Sequence, residues 1–395
     1  MTIREEKKAI ALVLGFSIHG LAVARALNRS GTEVHAISES PDIPTARTSA
    51  ARLHFDGRIN TEGAIDCIVD YCGSLDPQVP IVLFPTNDRI VEMLADHWER
   101  LPGNVHLSWS NDRRRIRQLM RKDGFSRFVA EHDLDCPISL TLESPTNIES
   151  VKTLRTPIVV KPAKPLGSFK ALRYETHEKA IQDSDRWIDD FPLVIQEWID
   201  GDDTSLVFAS YFVYGNDILA EFTGRKLASS PPGLGQGVLV EKFEENALAE
   251  EGRKIVRALG VSGPIAIEWK QSEDGTLWLI EANLGRSEYS VDLLIGAGVN
   301  LPVIEFGAVT GSGKTSTDRP VPTRVTWLDT DKEPLILFRY LAIEWRRHQW
   351  PGRMIFPYFG HGDFGPLLAS ARALTRRIAG AIGRRLAKVV GRPIP

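Results

Sequence analysis

The residues with the clearest chemical potential lie between Pro264 and Arg286, in the stretch PIAIEWKQSEDGTLWLIEANLGR. Glu268, Glu281 and Asn283 are oxygen donors, and Arg286 follows three residues after the amide. Whether they can meet depends on the chain between them. Two apolar runs, Ile265 to Trp269 and Leu277 to Ala282, flank Asp274 and Gly275, a pair that favours a two-residue hairpin turn. Such a turn pairs Glu273 with Thr276, and counting back along both strands sets Glu268 opposite Glu281. Alternation of side chains then puts Glu268, Glu281 and Asn283 on one face. Two carboxylates opposed roughly 5 Å apart at Cβ repel unless a positive charge lies between them. Magnesium takes one or two protein carboxylates and completes its shell with water and phosphate oxygens, so this set suits a nucleoside triphosphate. The same residues also describe a hairpin with a solvated acidic face.

Phosphate chemistry needs cations delivered by other elements. The strand TPIVVKP ends at Lys161 beside a loop with Pro165 and Gly167; a lysine leaving a strand next to small residues suits phosphate, and also ends many strands without chemistry. The strand Val194 to Ile199 carries Gln196 and Glu197 and stops at Gly201. The run SLVFASYFVYG pairs onto ILAEFTGRKL through Gly215 and Asn216, and that hairpin finishes in Arg225 and Lys226 before the glycine-rich SSPPGLGQG. A helix over about 246–259 leads back to the acidic hairpin.

In front of these lies a different pattern. Residues 9–37 read strand, glycine loop, helix, strand, the opening βα unit of a doubly wound domain. Gly15 and Gly20 bracket the loop without completing GxGxxG, so dinucleotide binding, with Glu39 on a ribose, is weakly supported. A second βα unit through 60–100 carries the strand IVLF into Pro85, Thr86, Asn87 and Asp88, where ligands of open sheets collect. An Asn/Asp helix cap is the plainer reading of that loop.

At 395 residues the chain is long enough for two or three lobes. Its 43% hydrophobic and 25% charged residues are ordinary for a soluble globular protein. Cys67, Cys72 and Cys136 make neither CxxC nor metal spacing, which points to a reducing cytoplasm. The apolar run before Gly15 is too short for a signal peptide or spanning helix, and no nucleic-acid partner is expected.

In order along the chain, these pieces resemble the ATP-grasp superfamily of carboxylate-amine ligases over roughly residues 105–310, closest to the carbamoyl-phosphate-synthase-like branch that includes D-aspartate ligase-like enzymes. Lys122 and Pro137, Lys161 and Pro162, Gly167 and Ser168, the hinge Gln196, Glu197, Ile199 and Gly201, and the signature Glu268, Glu281, Asn283 carry the resemblance. It implies an α/β ATP-grasp fold behind an N-terminal Rossmann-like pre-ATP-grasp domain (1–108), with a small lobe (109–192), a nucleotide and metal lobe (193–320) and a C-terminal extension (321–395). It implies ATP phosphates on Lys122 and Lys161 under a loop at Gly167 and Ser168, and adenine at Gln196, Glu197 and the backbone of Trp198 and Ile199. Asp202 or Asp203 would lie near the ribose. Mg2+ falls on Glu268, Glu281 and Asn283, and Arg225 and Arg286 would act on the transferred phosphoryl group. Two departures stand out: Arg121-Lys122 replaces Asp-Lys, and a glycine is inserted in EANLGR, shifting Arg286 by one residue.

The chemistry so implied converts a carboxylate to an acyl phosphate, from which an amine displaces phosphate; it needs positioning and charge neutralisation rather than a protein nucleophile. A bicarbonate-using carboxylase and a nucleotide-binding regulator are the alternatives. Ala308 to Thr315, AVTGSGKT, imitates a phosphate loop, but a helix precedes it and Pro320 and Pro322 follow, so a polar loop is expected. The aromatics of 333–363 and Phe364 just beyond are expected to cap the core, or else to line the acceptor pocket. After Asp363 come seven basic residues and no acidic one, with Leu367, Ala371, Leu374, Ile378, Ile382 and Val389 at helical spacing. That basic amphipathic helix, 366–391, is expected to dock on the acidic body of this chain or of a partner subunit, or else on a membrane surface, where a lipid- or glycan-linked substrate would fit.

Overall fold

The computed structural model describes residues 8–163, 169, 171–313 and 322–389. Gly167, Ser168, Lys314 and Thr315 lie outside the described residues. The apolar opening run becomes β1 (Ile10–Leu14), buried on both faces as parallel strands are. It centres a parallel sheet of order β3-β2-β1-β4-β5, with β2 (Glu33–Ser38), β3 (Arg52–Phe55), β4 (Ile81–Pro85) and β5 (Val105–His106). Helices α1 (Ile18–Arg29), α2 (Ala64–Gly73) and α3 (Asp88–His97) connect them. The β1-to-α1 turn closes tightly because a Cβ on Gly20 would stand 2.3 Å from the Gly15 carbonyl oxygen.

The basic α4 (Arg113–Leu119) and then α5 (Lys122–Glu131) lead to a four-stranded antiparallel sheet of order β6-β9-β7-β8. Its strands are β6 (Ser139–Leu142), β7 (Ile158–Pro162), β8 (Leu172–Tyr174) and, after α6 (His177–Gln182), β9 (Leu193–Glu197). Trp187, Ile158, Val160 and Ile195 form its separate core.

The third sheet runs β14-β13-β10-β11-β12-β15-β16. It contains β10 (Leu206–Tyr214), β11 (Asp217–Ser230), β12 (Gln236–Lys242), β13 (Gly263–Gln271) and β14 (Leu277–Leu284), with α7 (Asn246–Leu259) between β12 and β13. Past α8 (Val291–Gly296) and α9 (Leu301–Thr310), β15 (Val325–Leu328) and β16 (Arg353–Ile355) extend the same sheet, with α10 (Ile336–Arg346) between them. Apolar side chains of the first and third sheets, such as Leu12, Leu83, Tyr211 and Trp269, share one core, which clamps the two sheets together.

The hairpin at the centre differs from expectation twice. The ladder closes at Gln271 and Leu277, and Gly275 takes φ +89°, so the turn is longer than two residues. A bulge then passes over Ile280 between Glu268 and Trp269, and the two irregularities cancel: Glu268 stands opposite Glu281. Ala308 to Thr310 finish α9, and Gly311 caps it in the left-handed conformation, so this glycine ends a helix instead of opening one.

The chain returns to the first sheet at its end. Arg25, buried in α1, donates from Nε to Asp363 at 2.8 Å, while Thr48 and Ser49 also donate to that carboxylate. This pin sets the start of α11 (Gly365–Val389) on the turn Pro44–Arg47, so close that a Cβ on Gly365 would stand 1.9 Å from the Arg47 carbonyl oxygen. α11 thus meets the body at its first turn, whereas Leu367 and Leu374, on the face expected to dock, are exposed. Of the aromatics expected to cap the core, Tyr340 and Tyr358 are buried; Phe338, Trp345, Trp350, Phe359 and Phe364 face solvent.

Candidate active site

The three sheets converge on one cavity of about 790 Å³. β13 alternates, burying Ile265, Ile267 and Trp269 in the core and turning Glu268 and Lys270 to the cavity. Glu281 and Asn283 reach it from β14, Lys122 from the start of α5, and Lys161 from the end of β7. Lys161 Nζ donates to Gln196 Oε1 at 2.7 Å, joining β7 and β9. Glu197 also lines the cavity; one of its oxygens accepts the Arg155 amide at 2.8 Å.

The positive charge beside the paired carboxylates is Lys226. From β11 it reaches across β10, and its Nζ donates to Glu268 Oε2 at 2.6 Å. Burial pulls its ammonium down, but Glu268, Glu281 and Glu288 outweigh burial and hold it above the usual lysine range. Glu288 lines the same wall, and its Oε2 is buried with no hydrogen-bond partner among the described residues. Burial and the Glu268 charge push its carboxyl up, against Arg286 and Lys226.

Arg286 does reach the cavity, and the inserted glycine is the reason. Gly285 adopts φ +77° with its carbonyl accepting from the Trp109 indole at 2.9 Å; a Cβ there would stand 2.9 Å from Val91 and 3.0 Å from Trp109. The chain folds back, so that Arg286 donates to Asn283 Oδ1 at 2.9 Å and to Asp88 Oδ1 at 2.5 Å. The Asp88 charge outweighs burial and strengthens its guanidinium's hold on a proton. Next to it, buried His19 spans the first and third sheets: Nδ1 donates to the Thr86 carbonyl at 3.0 Å and Nε2 accepts from Ser287 at 2.8 Å. Burial and the Arg286 charge lower its pKa to about 3, so it is a neutral structural pin.

Two expected site residues, Arg225 and Asp203, lie off the cavity. Arg225, the strand neighbour of Lys226, faces away from the cavity onto Glu241 at 2.7 Å and the Phe243 ring. Asp203 is buried under the loop after β11, where it accepts the amides of Ser229 at 2.8 Å and Gly233 at 3.0 Å; it does not line the cavity. Trp198 and Ile199 do line it, but the Trp198 amide donates to the Pro157 carbonyl and is engaged in the fold. The Trp198 ring instead lies 3.7 Å from Lys270 Nζ, whose ammonium burial and the Arg173 charge lower to about 8.

The donor set fits a hard divalent cation. Glu268 and Glu281 are opposed, the Asn283 amide is adjacent and the orphaned Glu288 oxygen is close by in the same wall, all oxygen donors of the kind magnesium takes. Among the described residues no three His, Cys, Asp or Glu side chains gather as a ready-made metal cluster. Two carboxylates and an amide are nevertheless what a magnesium bound chiefly by water and phosphate requires.

The far wall of the cavity belongs to the first sheet. Gly15, Ser17, Glu39, Asn87 and Asp88 stand at the carboxyl ends of β1, β2 and β4 and Asn60 lies beyond β3, with Asn60 donating to Glu39 at 2.8 Å and Asn87 capping α3. The cavity therefore has a lysine-lined end and an end of carboxylates and amides, joined at Arg286.

No family model matches the chain, and no curated protein matches it. Solved structures do. The chain is similar to an L-amino acid ligase from Bacillus licheniformis, at TM-score 0.59 and 18% identity over 82% of this chain and 79% of that one. It is similar to N5-carboxyaminoimidazole synthetase from Staphylococcus aureus, at TM-score 0.61 and 16% identity over 87% and 88%. It is also similar to a biotin carboxylase from Campylobacter jejuni in complex with β,γ-ATP, at TM-score 0.61 and 12% identity over 81% and 75%. At these identities the likeness concerns architecture.

Proposed function

The chain has the ATP-grasp fold, with a Rossmann-like sheet in front, and from that premise we propose that it is an ATP-dependent carboxylate-amine ligase. The observation that carries this reading is that the opposed Glu268 and Glu281, the lysines Lys122 and Lys161, and the carboxyl ends of β1, β2 and β4 line one cavity. ATP phosphates would be held by Lys122 and Lys161, with adenine between β9 and β14. Glu268, Glu281 and Asn283 would hold Mg2+, which when bound neutralises charge on the phosphates. Lys226 and Arg286 would take the catalytic roles expected of Arg225 and Arg286, facing the oxygens of the transferred phosphoryl group.

The reaction balances without a protein nucleophile. An oxygen of the substrate carboxylate attacks the γ-phosphorus and ADP leaves; the amine then attacks the acyl carbon and phosphate departs with that oxygen. Glu288, its carboxyl raised by burial and by Glu268, suits acceptance of the proton that the amine loses. The wall with Glu39 and Asp88 suits a cationic or hydroxylated acceptor, lipid- or glycan-linked substrates included.

The likeness to a biotin carboxylase favours a second reading, in which bicarbonate is the acid activated. Among the described residues no helix is long and apolar enough to cross a membrane; a cytoplasmic location, with peripheral contact through 366–391, completes the proposal. The test is release of ADP and phosphate from Mg-ATP with pooled amino acids and sugar acids, beside Glu281→Gln. Release that needs a carboxylate and an amine and is lost in the variant supports the ligase; release that needs bicarbonate supports the carboxylase; binding without release supports a regulator.

A further inference from the structure

A second surface of the molecule has no part in the site. The helix α10 buries Ile336, Tyr340 and Glu344 against the body, as its inward face should. Its outward face is also apolar. Leu335 is 65% exposed, Phe338 68%, Leu341 40% and Trp345 77%, spaced so that they fall on one stripe, and Trp350 just beyond is 90% exposed. Aromatic side chains so displayed are costly to leave in water, and a contiguous patch of them marks an interaction surface.

Charge identifies the occupant. The exposed residues between 334 and 350 include Arg339, Arg346 and His348 and not one carboxylate, and Arg353 is exposed at the next strand. The one acid of the helix, Glu344, is buried and held by Arg324 and Arg347. A second copy of this chain packed face to face would oppose arginines to arginines, because a two-fold contact pairs a patch with itself. Asp202 lies within electrostatic reach of Arg339; anionic lipid adds headgroup phosphates for Arg339 and Arg346 and an acyl boundary for Phe338, Trp345 and Trp350. Tryptophan and tyrosine favour that boundary, where one end of the ring is apolar and the other wet.

We propose that α10 is a membrane-docking face that lies flat on an anionic bilayer. This stands apart from the ligase reading, since none of its residues lines the cavity. The full chain is floated with vesicles of phosphatidylcholine alone and of equal parts phosphatidylcholine and phosphatidylglycerol, with tryptophan emission followed in parallel. Expected is binding to the anionic vesicles with a blue shift, weakened about tenfold or more by Phe338→Ser with Trp345→Ser, from lost apolar burial. Arg339→Gln with Arg346→Gln should lose the preference for anionic lipid, and Leu368→Ser with Leu374→Ser on α11 should leave at least part of the binding in place. All these side chains are exposed, so circular dichroism should show unchanged folding. Absence of vesicle binding, binding that survives the α10 substitutions, or a wild-type dimer that those substitutions make monomeric would each overturn the proposal.

Discussion

Replacing Lys226 by methionine isolates the charge between the paired carboxylates. Its Nζ lies 2.6 Å from Glu268, and the two side chains are only 11% and 12% exposed. Methionine keeps much of the volume but leaves Glu268 close to Glu281 and Glu288 with no compensating ammonium. Stranding one member of a buried pair costs about 3–5 kcal/mol. With an unfolding entropy of about 2.1 cal/mol/K per residue, a chain of this size loses roughly 4–6 °C in Tm. A divalent ion seated by Glu268 and Glu281 restores the lost positive charge, so magnesium should raise the Tm of Lys226→Met more than that of the wild type. The assay is a thermal melt at one scan rate, in EDTA and in magnesium. A variant as stable as the wild type in EDTA, or equal magnesium shifts in both proteins, would refute the reasoning.

Other substitutions test the elements that position the site. Gly285→Ala should destabilise by about 2–4 kcal/mol, from left-handed backbone strain and contact with Val91 and Trp109, and should lower turnover by displacing Arg286; urea midpoints and steady-state rates report both, and a neutral substitution would show that the loop tolerates a side chain. Arg225→Met should leave ATP affinity within about twofold by calorimetry, because Arg225 faces Glu241 and not the cavity; a tenfold loss would contradict its placement. Glu305 is buried and accepts from Ser108 at 2.6 Å, and burial raises its pKa to about 8 from 4.5. The folded state thus holds a proton that the unfolded state releases, so its contribution is most favourable below about pH 4.5 and is lost as pH rises to 8. Glu305→Gln should therefore gain about 3 kcal/mol relative to the wild type between pH 5 and 7.5, at about 1.4 kcal/mol per pH unit; a gap that does not widen with pH would refute it. His19 runs the other way: held neutral with a pKa near 3 in the fold, it takes up a proton below about pH 6.5 only when unfolded, so its contribution to stability is lost as pH falls from 6.5 towards 3, and His19→Gln should flatten the acid limb of a stability curve.

Much of the architecture was legible because its signals are periodic. The apolar β1, the amphipathic 246–259 helix and the Gly215-Asn216 turn, which joins Tyr214 and Asp217 as a two-residue loop, stand where the pattern puts them. The opposition of Glu268 and Glu281 was legible only through two offsetting irregularities, a longer turn and a bulge at Ile280, neither of which leaves a mark in alternation. The choice between Arg225 and Lys226 turned on strand parity: adjacent residues face opposite sides, and which side meets the cavity depends on where β11 sits in the sheet. Glu288 was missed because its position depends on the left-handed Gly285, and the inserted glycine reads along the sequence as a displacement of Arg286. Asp203 shows the reverse, a carboxylate near a hinge that proves to serve two backbone amides.

The most direct measurement follows one oxygen atom. Carboxylic acids labelled with 18O are incubated with the protein, Mg-ATP and a pool of amines, and the released phosphate is examined by mass. Transfer of the γ-phosphoryl group to the carboxylate requires one 18O in each phosphate that accompanies amide formation, with none formed by Glu281→Gln. Amide and phosphate produced without label in the phosphate would contradict activation of the acid by the site at Glu268, Glu281 and Asn283.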